Sequence, residues 1–230
     1  MQGILGKPVF RVTGTVEDES DRNLHSCAER AAFSYARLAT SDSRSLQAFQ
    51  AAGFQVVDTT ITLETSGLPP SDGDDARRVR FARAVDADAV EQLSREGFAY
   101  SRFHLDPRID RTVADEIKAQ WAANFFRGAR GDHMVVGGHD GPASGFLQLL
   151  SGADGVLTID LIAVAASHRR KGLAAAMIRF AAHRCPGTVR LRVGTQAANI
   201  ESLRLYQRLG FVITDTAHVL HCHGPVAVRR

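Results

Sequence analysis

One stretch of the chain combines a strand, a run of basic residues, a glycine and a helix. Its sequence over Leu157–Ala174 is LTIDLIAVAASHRRKGLA. Amide groups in the first turn of a helix have no partner inside the helix, and the helix dipole places partial positive charge there. Arg169, Arg170 and Lys171 add full charges, and Gly172 lets an anion approach the backbone closely. The stretch predicts a diphosphate site, although a basic surface cluster at a helix start is the alternative interpretation.

A second pair of residues lies about thirty positions later, in the segment NIESLRLYQRLGF. Asn199 suits the first position before a helix, and Tyr206 follows about two helical turns later, so both side chains share one helix face. A phenol with a pKa of about 10 is a plausible proton donor to a departing thiolate, whose thiol has a pKa of about 8.5. The alternative role for Tyr206 is that of a half-buried core aromatic.

The segment VAASHRRKGLA resembles the acetyl-CoA-binding motif of the GNAT superfamily, Arg/Gln-x-x-Gly-x-Gly/Ala. Arg169, Gly172 and Ala174 occupy its fixed positions, while Ala166 stands where a proline is common. The resemblance implies that loop amides hold the CoA diphosphate and that the preceding strand pairs with the pantetheine. It also implies that Tyr206 is the general acid. The residues expected to bind acetyl-CoA are Ile162, Ala163, Val164, Arg169, Arg170, Lys171, Gly172, Leu173, Ala174 and Asn199.

The same resemblance implies that a free amine attacks the thioester directly, and that a backbone N–H near Val164 stabilises the oxyanion. The general base is left open: Asp160 on the central strand is the first candidate, and the alternatives for it are to face solvent or to pair with an arginine. His104 and His133 are alternatives, and an amine can also lose its proton to water without a dedicated base.

The acceptor is suggested by segments outside the CoA motif: Ser101–His104 (SRFH), Gln120–Asn124 (QWAAN) and Leu191–Gln196 (LRVGTQ). They resemble the dTDP-fucosamine acetyltransferases, a branch that acetylates the amino group of dTDP-linked 4-amino-4,6-dideoxy sugars for surface-polysaccharide assembly. Arg102 and His104 are then expected to bind the substrate, with Arg102 at the nucleotide diphosphate. A peptide, polyamine or antibiotic amine is the alternative acceptor, and a non-catalytic CoA-binding module is the alternative class.

The elements that must position these residues alternate between strand and helix, which predicts an α/β GNAT fold with a mixed central sheet. The expected helices are Ala87–Gly97, Arg111–Arg127, Gly172–Arg184 and Asn199–Leu209. The expected strands are Val79–Arg83, Met134–Gly138, Ser144–Leu150, Val156–Val164, Thr188–Val193, Phe211–Asp215 and Ala217–His221.

An internal repeat suggests how the chain is organised. Ser45–Leu63 aligns without gaps to Ser202–Leu220, with eight of nineteen positions identical and Phe49 in place of Tyr206. We therefore expect residues 1–64 to form a truncated, degenerate GNAT-like N-terminal lobe. Residues 65–76, rich in proline, glycine and aspartate, are the expected linker, and residues 77–230 are the expected catalytic domain.

Composition excludes several classes of protein. The chain has 44% hydrophobic and 23% charged residues, and its net charge of +3 is too mild for a nucleic-acid binder. Three cysteines without metal-like spacing, no secretory signal and no apolar run long enough to span a membrane indicate a cytoplasmic protein without a metal. Exposed strand edges make a homodimer reasonable.

Overall fold

A single nine-stranded mixed sheet runs through the computed structural model, which describes residues 2–13, 32–67, 73–138 and 141–224. The strands are β1 (Val9–Val12), β2 (Phe33–Ala39), β3 (Gln55–Thr65), β4 (Val79–Phe81), β5 (His133–Gly137), β6 (Gly145–Ser151), β7 (Val156–Val164), β8 (Arg190–Gln196) and β9 (Val212–His223). The helices are α1 (Gln2–Leu5), α2 (Ser43–Ala51), α3 (Gly73–Arg78), α4 (Ala87–Gly97), α5 (Arg111–Phe126), α6 (Leu173–Arg184) and α7 (Ile200–Arg208).

The strand order is β1-β2-β9-β3-β8-β7-β6-β5-β4. Strands β4 to β7 form an antiparallel series, and β7 continues parallel to β8. Alternate side chains of these strands enter two separate core clusters, one containing residues of α6 and α7 and the other containing residues of α4 and α5. The expected α/β fold with a mixed sheet is confirmed.

The two segments of the internal repeat have matching element boundaries. Strand β2, helix α2 and strand β3 begin at Phe33, Ser43 and Gln55, and β8, α7 and β9 begin 157 positions later in each case (190 − 33, 200 − 43 and 212 − 55). The aspartate or asparagine before each helix accepts a hydrogen bond from the backbone of the serine three residues on. The likeness found in nineteen residues therefore extends over a whole strand–helix–strand unit.

The two units are interleaved within one sheet. Strand β3 lies between β8 and β9, and β9 lies between β3 and β2. The β3–β9 pairing skips one residue on each strand, Val57 of β3 and Thr214 of β9, and these two positions lie on opposite sides of the Thr60–Ala217 pair. This arrangement has a local twofold relation centred on that pair. The N-terminal segment is consequently part of the central sheet and does not form a separate layer.

Two details of the expected organisation are wrong. Residues 73–76 of the expected linker are helical, and Asp75 is buried there because it pairs with Arg179 of α6 at 2.6 Å. The strands expected at Phe211–Asp215 and Ala217–His221 are one continuous strand, β9. Its neighbours β2 and β3 together pair along both of its halves, so backbone hydrogen bonding favours continuity across Thr216.

No helix among the described residues is long and apolar enough to cross a membrane.

Candidate active site

A cleft opens where β7 and β8 separate. The two strands pair only over Val156–Ile159 and Arg190–Val193, and the pairing of β7 with β6 skips Asp160 as in a β-bulge. Such an irregularity bends a strand and increases its twist. The resulting cavity has a volume of about 1380 Å³. Its walls include the second half of β7, the end of β8, the start of α6 and the inner face of α7.

The loop before α6 forms a concave backbone surface at one end of this cleft. Arg170 and Gly172 both have positive φ, at 61° and 77°. In the described part of the chain, no hydrogen bond reaches the amides of residues 170 to 172. Successive free amides next to a helix start are suited to bind an anion. The side chain of Arg169 donates to the carbonyl of Val164 at 3.1 Å, which ties this loop to β7.

Most residues expected to bind acetyl-CoA line the cleft, and one does not. Those that line it are Ile162, Ala163, Val164, Arg169, Arg170, Gly172, Leu173, Ala174 and Asn199. Lys171 instead lines a separate cavity of about 280 Å³ together with Arg77 and Arg78. The backbone carbonyl of Lys171 accepts a hydrogen bond from Arg78 at 2.5 Å, so this position fixes the loop from outside the cleft.

Helix α7 carries Asn199 and Tyr206 to the opposite wall. The side-chain oxygen of Asn199 accepts a hydrogen bond from the amide of Ser202 at 3.2 Å, which caps the helix. Tyr206 is 2% exposed, and its hydroxyl has no hydrogen bond among the described residues. Burial raises the pKa of Tyr206 well above its usual value, so the phenol keeps its proton at neutral pH. The ring packs against Phe211 at 5.4 Å.

Asp160 lines the cleft, but its carboxylate is already engaged. Arg130 donates two hydrogen bonds to it at 2.7 and 2.6 Å, and Gln148 donates a third at 3.1 Å. Pairing with an arginine was one of the two alternatives open for this residue. The bidentate pair with Arg130 therefore fixes the position of this carboxylate in the cleft.

Arg102 and His104 do not line the cleft in the described residues. The guanidinium of Arg102 lies over the ring of Tyr35 at 4.0 Å, and burial lowers its pKa. His104 contacts Ser101 at 2.5 Å and Asp115 at 2.8 Å, so both ring nitrogens are hydrogen-bonded. These contacts hold both side chains away from the cleft lining.

Comparison with known proteins decides the family. The model of the Acetyltransferase (GNAT) family matches residues 89–211. This chain belongs to the GNAT acetyltransferase family. The matched residues extend from α4 to the start of β9 and include both sides of the cleft. Members of this family use acetyl-CoA as a co-substrate, so the chain is an acyltransferase.

Two curated relatives have names that bear on surface-sugar chemistry. The dTDP-fucosamine acetyltransferase of Escherichia coli O6:H1 is 30% identical over 192 residues, 81% of this chain and 80% of that protein. The spore coat polysaccharide biosynthesis protein SpsD of Bacillus subtilis is 33% identical over 139 residues, 59% of this chain and 47% of that protein. The chain thus spans about half the length of SpsD.

A solved structure supports the same GNAT fold. The GCN5-related N-acetyltransferase from Sphaerobacter thermophilus superposes with a TM-score of 0.56 at 16% identity, covering 84% of this chain and 60% of that one.

One charged residue of the cleft that the sequence analysis did not single out is Lys118 on α5. It occupies the middle of a buried stripe in which Ala114 and Ala122 are both 0% exposed. The available signal was a lysine with an alanine four residues before it and another four residues after it. A charged side chain on the helix face that packs against the core is rarely found without a partner or a function.

Proposed function

We propose that this protein transfers the acetyl group of acetyl-CoA to the amino group of a nucleotide-linked sugar, of the dTDP-4-amino-4,6-dideoxy type, with Tyr206 as general acid. The observation that carries the proposal is the placement of two features in one cleft. Among the residues that the structure describes, the loop amides at one end have no hydrogen-bond partner, and neither does the buried phenol on the wall formed by α7. The first suits a diphosphate, and the second suits a leaving group that needs a proton.

In this mechanism the neutral amine nitrogen attacks the thioester carbonyl carbon, the new C–N bond forms, and the C–S bond breaks. The proton of the Tyr206 hydroxyl passes to the departing sulfur, while the amine nitrogen loses a proton to solvent, from which Tyr206 is reprotonated. The raised pKa of Tyr206 keeps the donor protonated throughout the working range of pH. Residues 162–164 on the free edge of β7 would pair with the pantetheine arm.

The choice of acceptor rests on similarity and on charge. The relative that aligns with 81% of this chain is named a dTDP-fucosamine acetyltransferase. Arg111 and Lys118 also line the cleft beside Phe98–Ser101. Positive side chains favour an acceptor with phosphates over a polyamine, which would be repelled.

The test is thiol release from acetyl-CoA with dTDP-4-amino-4,6-dideoxygalactose, spermine and a peptide amine as separate acceptors. We expect turnover on the sugar nucleotide. For Tyr206→Phe we expect kcat to fall by about 100-fold or more, with little change in the KM for acetyl-CoA, because only the proton donor is removed. Tyr35→Phe is the matched control, since Tyr35 lies outside the cleft lining. Turnover on spermine or the peptide alone would overturn the sugar acceptor, and an active Tyr206→Phe would overturn the acid.

A further inference from the structure

Lys118 is a buried cation without a polar partner. Lys118 is 8% exposed, and its ammonium has no hydrogen bond or ion pair among the described residues. The ammonium lies over two aromatic faces, the ring of Trp121 at 4.7 Å and the ring of Phe98 at 4.9 Å. Such contacts stabilise a cation less than a carboxylate would, so the charge lacks full compensation.

The charged groups around Lys118 do not supply the missing negative charge. Asp160 on β7 attracts the ammonium, but that carboxylate is bound by two hydrogen bonds from Arg130. Arg102 and Arg130 repel it. Burial, with these two arginines and against the attraction of Asp160, lowers the pKa of Lys118 to about 8. The surroundings are therefore net positive at a residue that lines the cleft.

We infer that the Lys118 ammonium is the anchoring cation for a phosphate group of the acceptor. The inference rests on the proposed function for the acceptor class, and it adds the residue that recognises the anion. A phosphate beside Lys118 would provide the negative charge that the protein lacks there, and a charge-assisted hydrogen bond would form in place of water. An acceptor whose only charge is an ammonium would be repelled by Lys118 and would gain nothing from this position.

The chain offers a direct reporter, because Trp121 is its single tryptophan. Its ring lies beside both Lys118 and Arg130, at 4.7 and 5.1 Å. We would titrate the full-length protein with dTDP, inorganic pyrophosphate and uncharged thymidine while following Trp121 emission. Saturating CoA is present throughout, so that the diphosphate site of the donor is already filled. We expect a saturable response to dTDP and pyrophosphate and none to thymidine at the same concentrations.

Lys118→Met should weaken dTDP binding by about 10-fold or more, because a charged hydrogen bond is lost. Lys7→Met removes the same charge from a lysine outside the cleft lining and should stay within about twofold of the wild type. In the wild type, dTDP affinity should also fall as the pH rises above 8, because Lys118 of the protein without dTDP loses its proton there. That dependence should be absent from Lys118→Met.

A measurement on the wild type alone covers the case in which Lys118→Met fails to fold. The chain has only three lysines, Lys7, Lys118 and Lys171, so ¹³Cε-lysine labelling gives three side-chain signals. The Lys118 signal should titrate near pH 8 in the CoA complex and at least one pH unit higher with dTDP, by linkage to a tenfold or greater preference for the charged form. An unchanged titration, or dTDP binding equal in wild type and Lys118→Met, overturns the inference.

The outcomes also separate this inference from the proposed function. Lys118-dependent binding of dTDP without acetylation of the sugar nucleotide would support the anion site and overturn the acceptor. Acetylation of the sugar nucleotide with the same KM in Lys118→Met and wild type would support the function and overturn the anion site.

Discussion

Three side chains, Asp106, His221 and His223, form a buried cluster that ties the segment before α5 to strand β9. Asp106 accepts hydrogen bonds from both rings, each at 2.7 Å. Burial would raise the pKa of Asp106, but hydrogen bonds from the two histidines and from the amide of Arg108 outweigh it and hold that pKa well below its usual range. The carboxylate therefore stays charged. The cluster is held together by the hydrogen bonds that the two histidine rings donate to it.

We predict that mild acid destabilises the fold through two buried histidines. Burial lowers the pKa of His221 and of His104, in each case against the attraction of an aspartate. A histidine with a lowered pKa binds its proton more readily when unfolded, so its stabilising effect is lost as the pH falls below the unfolded value of about 6.5. Between pH 7.5 and 5.5, each histidine can remove at most about 1.4 kcal/mol from the free energy of unfolding.

Urea unfolding at the two pH values measures this effect. His104→Gln can keep a donor toward Asp115 but cannot titrate, so its loss of stability on acidification should be smaller than that of the wild type. Equal free energies of unfolding at pH 7.5 and 5.5 would contradict the lowered pKa of both histidines.

At the scale of elements, the end of α4 approaches strand β7 closely. A Cβ atom added to Gly97 would lie 2.7 Å from the Cβ of Ala163, a separation that packed side chains do not tolerate. We predict that Gly97→Ala lowers the free energy of unfolding by about 1–3 kcal/mol, as overpacking does. Because Ala163 lines the cleft, the same change should raise the KM for acetyl-CoA.

Thermal unfolding and steady-state kinetics test both effects of Gly97→Ala. Gly141→Ala is the control, because a Cβ there meets nothing within 4 Å. If Gly97→Ala and Gly141→Ala unfold at the same temperature, the helix and strand can separate at no cost, and the packing argument fails.

Local patterns predicted the elements of this fold well and their long-range partners poorly. Val156–Val164 and Ala87–Gly97 match their expected bounds because periodicity and helix-ending residues act over a few positions. The burial of Asp75 depends on Arg179, which is 104 positions away, and no local pattern carries that information. Lys118 is similar: the helix was predicted, but its inner face is set by the packing of α5 against α4.

At the scale of the whole molecule, the repeat was recognisable from sequence but its interleaving was not. A duplication predicts two similar units, and it does not specify which strand pairs with which. The structure inserts β3 between β8 and β9, so β8 does not pair with the strand that follows it in the chain. Leu63 of β3 is 0% exposed and belongs to the same core cluster as Tyr206 and Phe211. The wall that carries the proposed general acid is thus completed by the N-terminal segment.

We therefore predict that residues 68–230 do not fold as an independent catalytic domain. Without β3, the edges of β8 and β9 lose their partner, and the cluster around Tyr206 opens to water. The isolated fragment should show no cooperative thermal transition and no binding of acetyl-CoA. A full-length chain with a protease site inserted between Gly67 and Gly73, cleaved after folding, should keep both properties, because the two fragments remain paired through β3. A fragment 68–230 that unfolds cooperatively and binds acetyl-CoA like the full chain would show instead that β8 and β9 can pair directly, and that the N-terminal segment is dispensable for the site.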